Sequence, residues 1–159
     1  MIITIIIMLL SILLDGIFLC IFKDFISFFY LSCMIILFMI NENKKRYYII
    51  IFIFGMIYDL LYNNTLFLDG FLYLFIMYII NFFIKNSNNF IKMFFSYNLS
   101  IIIYIIFMYV FAIYFNNDIL RTFLLVKRSI IINYLYFIII YITIYIIYKF
   151  KSNKLKKYS

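Results

Sequence analysis

The chain reads as a succession of long apolar runs, each cut short by a small polar cluster. A membrane-spanning helix needs about 20 mostly apolar residues, so runs of this order decide the class of protein before any motif does. They cover Met1 to Phe22, Phe25 to Ile40, Tyr47 to Tyr62, Leu66 to Ile84, Met93 to Phe115 and Ser129 to Tyr148. With 69% of residues hydrophobic and 13% charged, too little polar surface remains to clothe a water-soluble domain. A transmembrane barrel would alternate apolar and polar residues along each strand, and these runs do not alternate. The expectation is an all-α membrane protein, a single bundle of six transmembrane helices over residues 1–148 followed by a basic cytoplasmic tail, 149–159. The second and third runs are short and require a thinned bilayer or burial by neighbours.

The first run lacks a basic leader and a small-residue cleavage site, and Asp15 interrupts it where a signal core is apolar, so it reads as a retained helix. Orientation follows from lysine and arginine, which collect on the cytoplasmic side. With both termini inside, Lys44, Lys45, Arg46, Lys85, Lys92 and the tail lysines 149, 151, 154, 156 and 157 are cytoplasmic, ten in all. Four, Lys23, Arg121, Lys127 and Arg128, are outside. The opposite orientation would export the two strongest basic clusters. The net charge of +8 therefore reads as topology and attraction to anionic lipid, about 1 kcal/mol for each cation near the surface, and not as a nucleic-acid groove.

Proline, tryptophan and histidine are absent while Phe, Tyr, Ile, Asn and Lys abound, as an AT-rich coding bias would produce. Single aromatics accordingly carry little weight. Tyr134, Tyr141, Tyr145 and Tyr148 form a series along the last run that is read as ordinary packing and interfacial tyrosine. Cys20 and Cys33, without histidine, make neither a zinc site nor a disulfide framework and are expected to be buried small hydrophobes. No metal or cofactor is expected. Asn81 and Asn133 each call for a hydrogen-bond partner between helices, and Asp15 for a mate that the sequence does not name.

The most informative stretch is GMIYDLLYNNTLFLDG, Gly55 to Gly70. Gly55 and Asp59 are four residues apart and share a helix face. A carboxylate facing lipid costs about 2.5–3.5 kcal/mol on insertion scales, so that face should look into the bundle. Gly55 lets a neighbouring helix approach. Asn63, Asn64 and Thr65 end the helix, Asp69 is placed to cap the next one, and Gly70, Tyr73, Met77 and Asn81 run down one face of that helix. The stretch reads as an outer-leaflet hairpin. Its acids admit three uses: catalysis, a transport site, or structure. Tyr58-Asp59 matches half of the intramembrane aspartyl protease signature, but the GxGD half is missing, and no catalytic role is assigned. Composition does not separate transport from structure.

A protein of this size with six apolar runs, G-x-x-x-D near the end of the third, a short polar turn and a glycine at the start of the fourth resembles the MreD family. MreD is the membrane subunit of the bacterial rod-shape machinery. The words that carry the likeness lie in FGMIYDLLYNNTLFLDGFLYLFIMYI, Phe54 to Ile79. The resemblance implies a noncatalytic scaffold in the bacterial cell membrane. It would work beside an MreC-like protein and, through it, with cytoskeletal MreB, the RodA polymerase and a penicillin-binding transpeptidase. Its interaction motif would be Gly55, Asp59, Asp69, Gly70 and Asn81, and the basic loop with Lys44, Lys45 and Arg46 would face the cytoskeleton. The competing resemblance is to the solute-binding S component of energy-coupling-factor vitamin transporters, also six-helical. Those proteins present alanine-rich faces to a partner, and this chain has one alanine, Ala112.

Overall fold

A computed structural model describes residues 2–21, 26–40, 44–63, 67–84, 89–114 and 119–157, and among these the chain is helical without a strand. The elements are α1 (Ile2–Ile21), α2 (Phe29–Ile40), α3 (Lys44–Tyr58) running directly into a π-helical turn (Asp59–Asn63), α4 (Leu68–Phe83), α5 (Phe90–Tyr114) and α6 (Ile119–Lys157). By length and composition three helical segments can cross a membrane: Ile2–Ile21, Phe90–Tyr114 and Phe123–Ile147. Phe29–Ile40 and Leu68–Phe83 are shorter apolar helices.

α2 differs from a simple second span. Its 12 residues rise about 18 Å, well short of a hydrocarbon core of about 30 Å. Every residue from Tyr30 to Met39 is buried. A helix that is apolar all round belongs inside a bundle, and α1, α3, α5 and α6 all pack on it. α4 completes the bundle against α3 and α5.

Two polar stretches expected as loops are helical. Lys44 to Arg46 form the first turn of α3, with Lys45 and Arg46 exposed. The stretch Asn116 to Arg128 belongs to α6 from Ile119 onward, and the same helix continues through the tail to Lys157. Lysine and arginine are good helix formers, and no glycine or proline falls between 119 and 157 to end the helix. Lys92 likewise sits in the first turn of α5, exposed. Lys23, Lys85, Asn64 and Thr65 lie outside the described residues.

What fixes α2 is the treatment of its entrance. Ile26–Phe28 are not helical, yet Ser27 and Phe28 are buried. Backbone that is neither helical nor wet must find side-chain partners. α6 supplies them from Ser129 and Asn133, one turn apart. Ile26 N–H donates to Ser129 Oγ at 2.8 Å, and Phe28 N–H donates to Asn133 Oδ1 at 2.8 Å. Asn133 Nδ2 donates back to the Ile26 carbonyl at 2.7 Å. The partner expected for Asn133 is therefore a non-helical segment of backbone and not another helix. Tyr97 of α5 closes the joint by donating to the Asn133 carbonyl at 3.1 Å and stacking on Phe137, ring centroids 4.3 Å apart.

Leaving a buried backbone group unpaired costs roughly 1–3 kcal/mol. Asn133→Ala strands two such groups and Ser129→Ala one. Thermal unfolding in detergent micelles is expected to rank wild type above Ser129→Ala above Asn133→Ala. An Asn133→Ala protein as stable as wild type would contradict the assigned joint.

Candidate functional site

Two buried acids of the bundle, Asp15 and Asp59, work on helix termini. Asp15, 1% exposed on α1, caps α2 from outside. Its Oδ2 accepts from Tyr30 N–H at 2.9 Å, its Oδ1 accepts from Phe29 N–H at 3.1 Å, and the Ser27 hydroxyl also donates to Oδ1. The first amides of a helix have no partner within it, and the partial positive charge there favours a carboxylate. α2 begins inside the bundle where water does not reach, so a neighbouring helix provides the acceptor. This is the mate of Asp15.

The α3–α4 hairpin uses the same device. Asp59 opens the π-helical turn and is fully buried. Its Oδ2 accepts from the backbone N–H of Asp69 at 2.8 Å. The expectation that Asp69 caps α4 is therefore corrected. The residue before the helix is Phe67, in the left-handed region at φ 70°, without a side-chain cap. Asp69 lies in the first helical turn and offers its amide, while the capping oxygen comes from Asp59. The reason is geometric: α4 starts at Leu68, so Asp69 is already within the helix, where its side chain cannot serve as the preceding cap. The Phe67 ring stacks on Phe52 of α3 with centroids 6.4 Å apart. Both aspartates make further interactions.

Gly55 and Gly70 set the spacing of this hairpin. A Cβ on Gly55 would lie 2.6 Å from the Gly70 Cα and 2.9 Å from its nitrogen, inside any tolerable contact. A Cβ on Gly70 would meet the Phe52 ring and carbonyl at 3.3 Å. Small residues allow helices to approach this closely where lipid supplies no hydrophobic drive to pack them. Farther along α4, Tyr73 and Met77 are buried. Asn81 is not: it is exposed in the last turn, beyond the reach of the packed face, so the interhelical bond expected of it is absent from its place in the bundle. Of the five motif residues, Gly55, Asp59, Asp69 and Gly70 come together at one end of the hairpin, and Asn81 stands apart at the other.

Reasoning from sequence passed over the ring cluster beside these acids. Tyr30 of α2 stacks on Tyr58 at 5.5 Å and meets Tyr73 edge-on at 5.3 Å. Tyr58 and Tyr73 are 6.2 Å apart, and Tyr73 stacks on Tyr104 of α5 at 6.4 Å. Four helices thus meet through four tyrosines, with Asp59 next to Tyr58 in the chain and Asp69 one turn before Tyr73. Serine was also passed over: Ser11, Ser32, Ser96, Ser100 and Ser129 are all 0% exposed. Each returns its hydroxyl to a carbonyl of its own helix or of the turn before it, leaving a small, satisfied contact surface.

Tyr134 donates to Asn98 Oδ1, and Tyr141 packs edge-on against Phe90 at 4.9 Å, so the series on α6 is partly spent on α5. Tyr145 is exposed, and the side chain of Tyr148 lies outside the described residues. Cys33 is buried as expected, whereas Cys20 is exposed at the outward face of α1. Among the described residues no group of three or more His, Cys, Asp or Glu is placed to hold a metal. No protein-family model, curated protein or solved structure matches the chain.

The two glycines give a graded test. Gly55→Ala must push backbone from backbone, and overpacking of this kind costs about 1–3 kcal/mol. Gly70→Ala asks the Phe52 ring and carbonyl to give by a few tenths of an ångström, a cost partly offset by gained helix propensity. Thermal unfolding should show a clear loss for Gly55→Ala and a smaller one for Gly70→Ala; equal losses would contradict the spacing described.

Proposed function

We propose that the chain is a noncatalytic membrane scaffold of the bacterial cell-shape machinery, of the MreD kind, coupling an MreC-like protein and the cytoskeleton to peptidoglycan synthesis. In this reading it crosses the bacterial cell membrane six times with both termini inside. The observation that carries the reading is the use made of the G-x-x-x-D motif: Gly55 seats α4 on α3, and Asp59 ties the start of α4. The residues that resemble the family hold a hairpin together, as parts of a scaffold should.

The basic cluster supports a cytoplasmic contact on independent grounds. Lys44, Lys45 and Arg46 occupy the first turn of α3, where cations oppose the helix dipole by about 0.3–1 kcal/mol each. Their placement does not stabilise the helix, so topology or a partner accounts for it. The helical continuation of α6 carries Lys149, Lys151, Lys154, Lys156 and Lys157 beyond the apolar segment, where anionic lipid would hold them. The outward faces of α1, α5 and α6 are apolar, with Leu13, Ile17, Ile106, Val110, Leu135 and Ile139 exposed. They offer lipid or a single-pass partner helix a surface of ordinary membrane character.

Depletion in the rod-shaped host, scored for rounding together with copurification of wall-elongation proteins, tests the proposal. Rounded cells and a retained MreC-like protein are expected. Unchanged shape, or a purified protein that captures a vitamin-like solute, would replace it with the S-component reading. At the level of residues, Asp59→Ala removes a cap worth about 0.5–2 kcal/mol and should weaken partner retention, while Asp59→Asn keeps an acceptor for the Asp69 amide and should retain most of it. Charge reversal at Lys44, Lys45 and Arg46 should reduce recruitment of the cytoskeletal side; full recruitment with unaltered topology would remove that contact from the proposal.

A further inference from the structure

The polar ties near the starts of α2 and α4 are not equally easy to undo. Asp15, Ser129, Asn133 and Asp59 hold backbone amides, and parting any of them would strand a donor in apolar surroundings. A further tie differs. The Tyr62 hydroxyl, in the π-helical turn, donates to the Ile12 carbonyl of α1 at 2.8 Å. Ile12 lies within a helix that runs unbroken from Ile2 to Ile21, so its carbonyl keeps the ladder bond from the Gly16 amide with or without Tyr62. Tyr62 is itself only partly buried, which gives a released hydroxyl a route to the surface. The tie opens without leaving a buried polar group unpaired on either side.

The surroundings suit such a movement. A Cβ on Gly16 would lie 2.9 Å from two ring carbons of Tyr62, so the ring rests on α1 where bare backbone admits it. Behind Tyr62 the rings form a row. Tyr58 meets it edge-on at 4.9 Å, and Tyr30 stacks on Tyr58 at 5.5 Å. Tyr62 is the outer member of the row, Tyr58 and Tyr30 are buried, and the Tyr30 hydroxyl has no hydrogen-bond partner among the described residues. Water reaching that hydroxyl would relieve an unsatisfied donor. We infer that Tyr62 is a releasable latch between α1 and the π-helical turn, and that its release admits water to the buried Tyr58–Tyr30 pair. This goes beyond the scaffold proposal and does not depend on it.

Cys33 reports the opening. It is buried on α2, three residues after Tyr30 and on the same helix face. The full chain, with the exposed Cys20 changed to Ser, is reconstituted in lipid nanodiscs and treated with methyl methanethiosulfonate, a small water-soluble thiol reagent; the rate of Cys33 modification is followed by mass. Tyr62→Phe removes the bond and keeps the ring, and should raise that rate roughly two- to tenfold, the change in open population expected for one net hydrogen bond. Tyr134→Phe removes a comparable hydroxyl bond, to Asn98 Oδ1 between α5 and α6, and should leave the rate unchanged. Gly16→Ala displaces the ring and should raise the rate as Tyr62→Phe does, and the double variant should add little, because both substitutions act through one contact. Modification no faster in Tyr62→Phe than in wild type overturns the latch. So does an equal rise in Tyr134→Phe, the mark of general loosening, or a double variant whose effect is the product of the two singles. If Gly16→Ala does not fold, the comparison of Tyr62→Phe with Tyr134→Phe decides. Partner retention, on which the scaffold proposal rests, is read separately.

Discussion

A helix that begins inside an apolar bundle has amides that water cannot reach, and the architecture follows from how those amides are satisfied. Without partners, the start of α2 would carry several unpaired donors at a cost of 1–3 kcal/mol or so apiece, comparable in sum to the whole stability of a typical domain. Asp15 from α1 and Ser129 and Asn133 from α6 take up the donors at Ile26, Phe28, Phe29 and Tyr30. The first and last helices of the chain are thereby fastened to the second. Apolar packing alone would let these helices slide or rotate; directional bonds to fixed amides set their register.

The α3–α4 hairpin repeats this solution with fewer parts. One carboxylate oxygen meets one amide, and a glycine pair brings the helices close enough for the bond to form. The two features depend on each other. Wider spacing at Gly55 would lift Asp59 away from Asp69, and loss of the cap would deprive the left-handed Phe67 turn of its tie to α3 through Asp59. An intramembrane acid ordinarily suggests transport or catalysis; at Asp15 and Asp59 the oxygens are engaged with helix starts, which favours the structural use.

Helix class was legible because runs of apolar residues without alternation leave few other options, and the α3–α4 hairpin was legible because polar and small residues interrupt those runs at Gly55, Asp59, Asp69 and Gly70. The number of helices able to span was less so. Hydropathy scores Phe25 to Ile40 as one run and cannot register that Ile26–Phe28 are not helical, since Ile and Phe suit many conformations; only Ser27, and the pair Ser129 and Asn133 one turn apart, hint at a polar joint. Likewise Asp69 looks like a cap from its place before Gly70, but a cap is defined by where the helix starts, and a start one residue before Asp69 transfers the task to Asp59. The tyrosine cluster was hidden for a different reason. With 17 tyrosines in the chain, no single one stands out until the fold brings four together.

The polar groups also divide the bundle into two mechanical parts. Near the starts of α2 and α4, bonds from Asp15, Asn133, Ser129 and Asp59 and the contacts among Tyr30, Tyr58, Tyr73 and Tyr104 tie all six helices, directly or through one intermediary. Toward the other ends of α2 and α4, the joints are mainly apolar, with Tyr47 donating to the Met34 carbonyl at 3.3 Å and Ser96 meeting the Met39 sulfur at 3.8 Å, both weak by geometry. By the bonds described, the half that carries Lys44 to Arg46 and the start of α5 is held mainly by apolar packing. In the proposed orientation this half would face the cytoplasm, where a proposed cytoskeletal contact could adjust while the bonded half, toward the wall in that reading, kept its register.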